Sequence, residues 1–215
     1  MNPDYNVQEI LMEIEFLLRK YSLERRAMTQ PYMLSVVQQM VDNYQYHPED
    51  ILIRETLLEH VGSLPVLATV LYPYINDSEV DLGEALTMLA IHDIGELIVG
   101  DENIFTKKNE GKQAEYEAGL SLLHPYFHSR FKDMETGSSR TAQFAKAIDK
   151  IAPDIFDYLT PPHITKQRLK YYANFEPGQI VEKIIEYKRP YMVWNPFMEA
   201  FHVHLMEQLA DKLSR

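Results

Sequence analysis

The 215-residue sequence contains no cysteine, so it can form neither a disulfide nor a thiolate metal site. It also contains no apolar run long enough to cross a lipid bilayer. The first residues lack the basic segment with which a signal peptide begins. Together these absences predict a cytoplasmic protein that has no membrane partner.

Positive charge is also scarce, because 21 lysines and arginines stand against 32 aspartates and glutamates, for a net charge of −11. Nucleic-acid binding needs a basic face that displaces counterions from phosphates. We therefore expect no nucleic-acid partner. A small anionic substrate would need a locally positive site within this acidic protein, and a bound divalent metal ion could supply that charge.

Apolar residues recur every three and four positions along nearly the whole chain, as they do on one face of a helix. No alternating stretch is long enough for a sheet. The sequence therefore predicts an all-α protein. We place an N-terminal helical extension over residues 1–50 and one compact helical bundle over residues 51–215.

Prolines and glycines predict where individual helices stop. Gly62 and Pro65 predict a kink or a restart in one helix, and Pro153 predicts a similar break in a later one. Between them, a strong helical pattern extends from Val80 to Val99. We expect this central helix to be continuous.

The most informative segment is LAIHDIGE, which extends from Leu89 to Glu96. In a continuous helix, Leu89, His92, Asp93 and Glu96 would lie along one stripe that faces the core. Burying an imidazole with carboxylates is costly unless they are paired or bind a metal ion. This segment therefore directs the search to further ligands elsewhere in the chain.

Two other predicted helices carry suitable side chains, His60 before this segment and Asp149 after it. With His92 and Asp93 they offer two imidazoles and two carboxylates. Such a set suits Mn²⁺, Co²⁺, Fe²⁺, Mg²⁺ or Zn²⁺. We expect one divalent metal ion, with open coordination positions for water and a phosphate oxygen.

The order His60, His92-Asp93, Asp149 on successive helices resembles the H…HD…D signature of the HD superfamily of metal-dependent phosphohydrolases. The stretches 81–86 and 92–101 resemble in particular the HD-domain 5′-deoxynucleotidases, which remove phosphate from deoxynucleoside monophosphates. The Glu59-His60 pair and the residues 147–150 also resemble that branch. The resemblance covers roughly residues 54–157 and implies the HD-domain helical bundle.

The resemblance also implies roles for individual residues. His60, His92, Asp93 and Asp149 would hold the metal ion, while Glu96 and Asp101 would lie beside a metal-bound water and transfer protons. Arg54 and Lys150 would contact the substrate, although Arg54 is one place out of step with the basic residue of that family. The implied activity is hydrolysis of a (deoxy)nucleoside 5′-monophosphate or another small phosphate ester, and the implied assembly is a homodimer.

Two other enzyme activities of the superfamily are alternatives, namely a phosphodiesterase and a hydrolase of nucleotide polyphosphates. Cyclic-dinucleotide phosphodiesterases carry the motif HD-x-G-K, whereas this sequence has Glu96 at the position of the lysine. Guanosine-tetraphosphate hydrolases carry Glu-Asp, whereas Leu97 follows Glu96 here. Both departures favour the monophosphatase.

Two further hypotheses remain open from the sequence. His124 and His128 lie between the two ligand segments and could bind a second metal ion, although Pro125 argues against a regular helix across them. The protein could also be a non-catalytic module that binds a metal ion and a nucleotide for regulation. The presence of Glu96 and Asp101 beside the predicted metal favours an enzyme.

Overall fold

The computed structural model describes residues 6–21, 57–100, 109–163, 165–166 and 177–214. All the regular structure in these residues is helical, as the apolar periodicity predicts. None of these helices has the length and apolar character that a membrane span requires. The helices are α1 (Val7–Tyr21), α2 (Leu57–Ile75), α3 (Leu82–Ile91), α4 (Glu96–Val99), α5 (Asn109–Leu122), α6 (His128–Thr136), α7 (Arg140–Leu159), α8 (Pro177–Met192) and α9 (Pro196–Ser214).

Helix α7 lies at the centre of the bundle and packs against α2, α3, α6, α8 and α9. Its first turn is capped by Ser139, whose Oγ accepts a hydrogen bond from the backbone N–H of Ala142 at 3.0 Å. Its apolar face is fully buried and includes Phe144, Ala145, Ile148, Ile151 and Ala152. Any side chain on the flank of α7 is therefore held in a fixed position.

Helix α1 belongs to the same core as the rest of the bundle. Its buried residues Val7, Ile10, Leu11 and Ile14 pack with residues of the later helices, and α1 contacts both α2 and α9. The predicted boundary at residue 50 stays a prediction, because residues 22–56 lie outside the described part of the chain.

Neither of the two helices with a predicted break ends or restarts at its proline, so that part of the prediction is wrong. Helix α2 continues through Gly62 and Pro65, and α7 continues through Pro153. A proline inside a helix removes one hydrogen bond and costs about 3 kcal/mol. Near Pro65, however, Leu64 and Leu67 are fully buried, and each such side chain contributes about 1.5–3 kcal/mol. Burial of the apolar face therefore outweighs the local cost.

The prediction of one continuous helix from Val80 to Val99 is also wrong. Helix α3 ends at Ile91, a turn follows over residues 92–95, and α4 begins at Glu96. Within the turn the backbone N–H of Glu96 donates to the carbonyl of Asp93 at 3.0 Å, three residues earlier, rather than four. His92 and Asp93 thus lie at the end of a helix and in a turn, not along one helical stripe.

Candidate metal centre

Gly95 explains why the chain turns at this point. A Cβ atom on Gly95 would lie 2.1 Å from the carbonyl oxygen of Glu115, in α5, which is closer than any side chain can approach. The contact between the turn and α5 therefore requires glycine. It also places the Glu115 carboxylate beside those of Asp93 and Glu96, with one oxygen of each within 4.8 Å of the others.

Sequence reasoning missed Glu115 as a residue of this site. The glycine in HDIGE is a signal that another backbone approaches closely. However, the sequence does not reveal which segment fills that space. The tertiary contact alone assigns Glu115 to the site.

The four predicted metal ligands converge at one point. Helix α2 supplies His60, α7 supplies Asp149, and His92 and Asp93 come from the end of α3 and the following turn. The Nε2 atom of His60 lies 3.3 Å from Asp149 Oδ1 and 3.5 Å from Asp93 Oδ2. The Nε2 atom of His92 lies 3.0 Å from Asp93 Oδ2 and 3.4 Å from Asp149 Oδ1. Ligands about 2.1 Å from one metal ion and at right angles are about 3 Å apart, so this spacing fits a shared ion.

The hydrogen bonding of His92 tests whether a cation suits these residues. Its Nδ1 atom lies 2.9 Å from the carbonyl oxygen of Leu89. A carbonyl only accepts, so Nδ1 carries a proton, and Nε2 is the ring nitrogen that faces Asp93 and Asp149. This buried Nε2 atom makes no hydrogen bond. Acceptors that face one another need a cation between them, and a backbone carbonyl on Nδ1 is the usual support for a metal-binding histidine.

The electrostatics of the site also favour positive charge. Burial by itself would lower the pKa of His92, but the carboxylates of Asp149 and Asp93 outweigh it and raise that pKa to about 10. Burial likewise opposes a raised pKa at His60, where Asp149 again prevails. Burial would raise the pKa of Asp149, yet Lys150 and the imidazoles hold it well below its usual range. The cluster thus favours a proton or a metal cation among its carboxylates.

Exposure indicates which side of the cluster is open. The His92 side chain is 5% exposed, whereas those of His60 and Asp93 are 16% and 17% exposed. Asp93 is also the ligand that adjoins Glu96 and Glu115. The accessible side of the cluster therefore borders these two carboxylates.

The three other predicted site residues have different outcomes. Lys150 lies at the site, with its Nζ atom 2.7 Å from Asp149 Oδ2. This ion pair orients Asp149 so that its other oxygen faces the imidazoles; substrate contact by Lys150 stays a prediction. Arg54 and Asp101 lie outside the described residues, so their predicted roles stay predictions as well.

His124 and His128, which the sequence offers as ligands of a second metal ion, make hydrogen bonds to nearby backbone groups. His124 Nδ1 accepts a hydrogen bond from the backbone N–H of Tyr126 at 3.2 Å, and His128 Nε2 donates to the carbonyl of Leu123 at 3.0 Å. As Pro125 indicates, a 3₁₀ turn interrupts the chain here. Within the described ranges, neither histidine belongs to a group of side chains that could share a metal ion.

We expect Gly95→Ala to reduce activity about a hundredfold, because the added methyl group must push the turn away from α5 and displace Asp93. A shift of about 1 Å in a reacting group has an effect of that size. The overpacking should also lower the free energy of unfolding by about 1–3 kcal/mol. Gly62→Ala is the matched control, since a Cβ there meets no atom within 4 Å, and its helical position favours alanine. Phosphate release and thermal unfolding check both variants; equal activities would contradict the expectation.

Comparison with known proteins agrees with this geometry. The model of the HD domain family matches residues 49–176, a range that includes all four converging ligands. The crystal structure of a predicted metal-dependent phosphohydrolase from Magnetospirillum magnetotacticum MS-1 is similar in fold, with a TM-score of 0.60 and 23% identity over 84% of this chain and 94% of that chain. None of the curated proteins compared with the chain matches it. The match over more than half of the sequence shows that this chain belongs to the HD domain family.

Proposed function

We propose that this protein is a metal-dependent phosphohydrolase that releases phosphate from a small phosphate ester, most readily a (deoxy)nucleoside 5′-monophosphate. The observation that carries the proposal is the buried Nε2 atom of His92, which faces two carboxylate oxygens and makes no hydrogen bond. Membership of the HD domain family supports it. So does the similar fold of the Magnetospirillum protein, itself a predicted metal-dependent phosphohydrolase.

In this proposal His60, His92, Asp93 and Asp149 hold one divalent ion. When bound, that ion would lower the pKa of a water molecule and offset negative charge on the phosphoryl group. The backbone carbonyl of Leu89 holds His92 in the required tautomer. Lys150 orients Asp149, because its ammonium group binds the carboxylate oxygen that points away from the imidazoles.

Proton transfer in this proposal belongs to the carboxylates on the open side of the cluster. Glu96 and Glu115 adjoin Asp93, so each is placed to accept a proton from a water molecule that attacks the phosphorus. The ester oxygen leaves as the P–O bond breaks, and the proton reaches it through water or the same carboxylate. A positioned carboxylate of this kind contributes about 10²–10⁴-fold to the rate.

Phosphate release from a panel of nucleoside and deoxynucleoside monophosphates tests the proposal. The panel is run with Mn²⁺, Co²⁺, Mg²⁺, Fe²⁺ and Zn²⁺, and with Asp93→Ala as the inactive control. We expect release that needs a metal ion and is lost in the control, because Asp93 lies within 3.5 Å of both imidazoles. Release from diesters or polyphosphates alone would refute the monophosphatase. A metal-loaded protein that turns over none of these compounds would instead be a binding module.

A further inference from the structure

One face of α7 carries a second lysine, Lys146, in addition to Lys150, which is paired with Asp149. Lys146 lies three residues before Asp149 and four before Lys150, so the three side chains are neighbours on the helix surface. The Nζ atom of Lys146 donates to the carbonyl oxygen of Glu135, at the end of α6, at 2.7 Å. An ammonium group has three donors, so this bond positions Lys146 and leaves it able to bind an anion.

Two tyrosines of α8 line the same region. Tyr187 and Tyr191 are one turn apart, with ring centroids separated by 6.2 Å, and both are partly exposed. The Nζ atom of Lys146 lies 5.9 Å from the centre of the Tyr191 ring. Because α8 packs against α7, the tyrosines form an aromatic wall beside Lys146, and Tyr187 also lies close enough to Lys150 to influence its charge.

The charges in this region act on one another. Burial lowers the pKa of Lys146, and the positive charges of Lys150 and Lys112 add to that effect, while Glu135 and Asp149 oppose it. Glu115 also faces this region, since its charge raises the pKa of Glu135. Lysines kept close to one another repel, and an anion bound among them would relieve that repulsion.

The charge of the metal centre shows why such lysines are needed. The charge of a divalent ion held by Asp93 and Asp149 would be partly offset by those two carboxylates, and Glu96 and Glu115 add negative charge beside it. A phosphomonoester is a dianion, so a further cationic side chain near the ion would strengthen its binding.

We infer that Lys146, Tyr187 and Tyr191 form a substrate-binding pocket beside the metal centre, in one half of which Lys146 binds the phosphate dianion while in the other the two tyrosines pack against a flat ring in the leaving group. The inference rests on the proposed function and adds to it the residues that recognise the phosphate and the ring of such a monoester. Aromatic side chains bind bases mainly by stacking, without regard to their identity. The pocket should thus separate ring-bearing from aliphatic phosphates rather than one base from another.

The two products of hydrolysis test the two halves of this pocket separately and cannot be turned over. Inorganic phosphate and deoxyadenosine are titrated into the full-length protein loaded with Mn²⁺, and binding is followed by calorimetry. We expect Lys146→Met to weaken phosphate binding about tenfold and to leave deoxyadenosine binding unchanged, while Lys146→Arg retains phosphate. We expect Tyr187→Leu to weaken deoxyadenosine binding at least about fivefold and to leave phosphate binding unchanged.

Exposed residues of the same types provide the matched controls, namely Lys132→Met in α6 and Tyr126→Leu in the 3₁₀ turn. Tyr187 is replaced rather than Tyr191, because Tyr191 also packs against the core and its truncation would destabilise the fold.

Unchanged affinities in Lys146→Met and Tyr187→Leu would overturn the inference, as would a wild type that binds neither probe. If the wild type releases phosphate from monophosphates while the variants bind normally, only the inference fails. The expected binding pattern without any turnover would retain the pocket and refute the proposed function.

Discussion

Replacing Asp149 with asparagine is expected to reduce phosphate release at least about a thousandfold, which corresponds to roughly 4 kcal/mol of lost transition-state stabilisation. The substitution keeps the shape of the side chain but removes a charge that lies 3.3 Å and 3.4 Å from the two imidazole Nε2 atoms. Metal affinity should fall with activity. For the wild type, a metal concentration 100-fold above the dissociation constant stabilises the fold by about 2.7 kcal/mol, or roughly 5–10 °C in Tm for a chain of this length. Asp149→Asn should lose that increase.

Asp154 provides a matched control on the same helix. It is also buried beside a lysine and a histidine, with Oδ1 2.6 Å from Lys188 Nζ and Oδ2 3.4 Å from His202 Nε2. Among the residues that the structure describes, Asp154 belongs to no group of three side chains that could share a metal ion. Asp154→Asn should therefore lower the free energy of unfolding by about 3 kcal/mol, yet the folded protein should keep its metal-dependent increase in Tm. If both variants lost that increase, or neither did, the assignment of Asp149 as a ligand would be wrong.

The second large effect is expected at Glu96, where replacement by glutamine should lower kcat by about 10²–10⁴-fold. Glutamine has the same size but cannot accept a proton from the attacking water. Metal binding should be retained, because in this proposal the two imidazoles, Asp93 and Asp149 supply the ligands. The measurements are kcat by phosphate release and metal affinity by the increase in Tm. Loss of metal together with activity would show that Glu96 is a ligand rather than a proton acceptor.

Glu115→Gln distinguishes the two neighbouring carboxylates. Both lie within 4.8 Å of Asp93, but only Glu96 belongs to the segment that resembles the HD signature. We expect Glu115→Gln to lower kcat less than about tenfold, through a weaker negative field around Glu96. The opposite ranking, with Glu115→Gln the more damaging substitution, would transfer the proton-accepting role to Glu115.

Much of the site can be predicted from local patterns, because those patterns depend on burial. Phe144, Ile148 and Ile151 recur at helical spacing, and the same face of α7 is buried in the structure. His92 and Asp93 stand out because ionisable groups in an apolar segment need partners. His60 and Asp149 follow from the same reasoning, and both lie beside that pair.

Local patterns fail where a distant segment determines the conformation. Pro65 and Pro153 predict helix breaks from their own covalent geometry, but burial of neighbouring side chains keeps α2 and α7 continuous. The opposite error occurs at Gly95, where a strong helical pattern yields to a turn. The backbone of α5 approaches within a distance that only glycine permits.

The sequence by itself determined that the chain is helical, which helix faces are buried, and which two imidazoles and two carboxylates could share a metal ion. The helical pattern and the buried faces follow from spacing along one segment at a time, and the set of four side chains is the one that the resemblance to the HD signature implies. Only the tertiary structure decided that Glu115 adjoins Asp93, that Lys146 lies beside Tyr191, and that Lys150 pairs with Asp149. Those contacts join helices or depend on side-chain orientation, and their strength depends on distances that no one-dimensional pattern contains. The four side chains that converge were therefore predictable, whereas the groups that surround them and set the local charge were not.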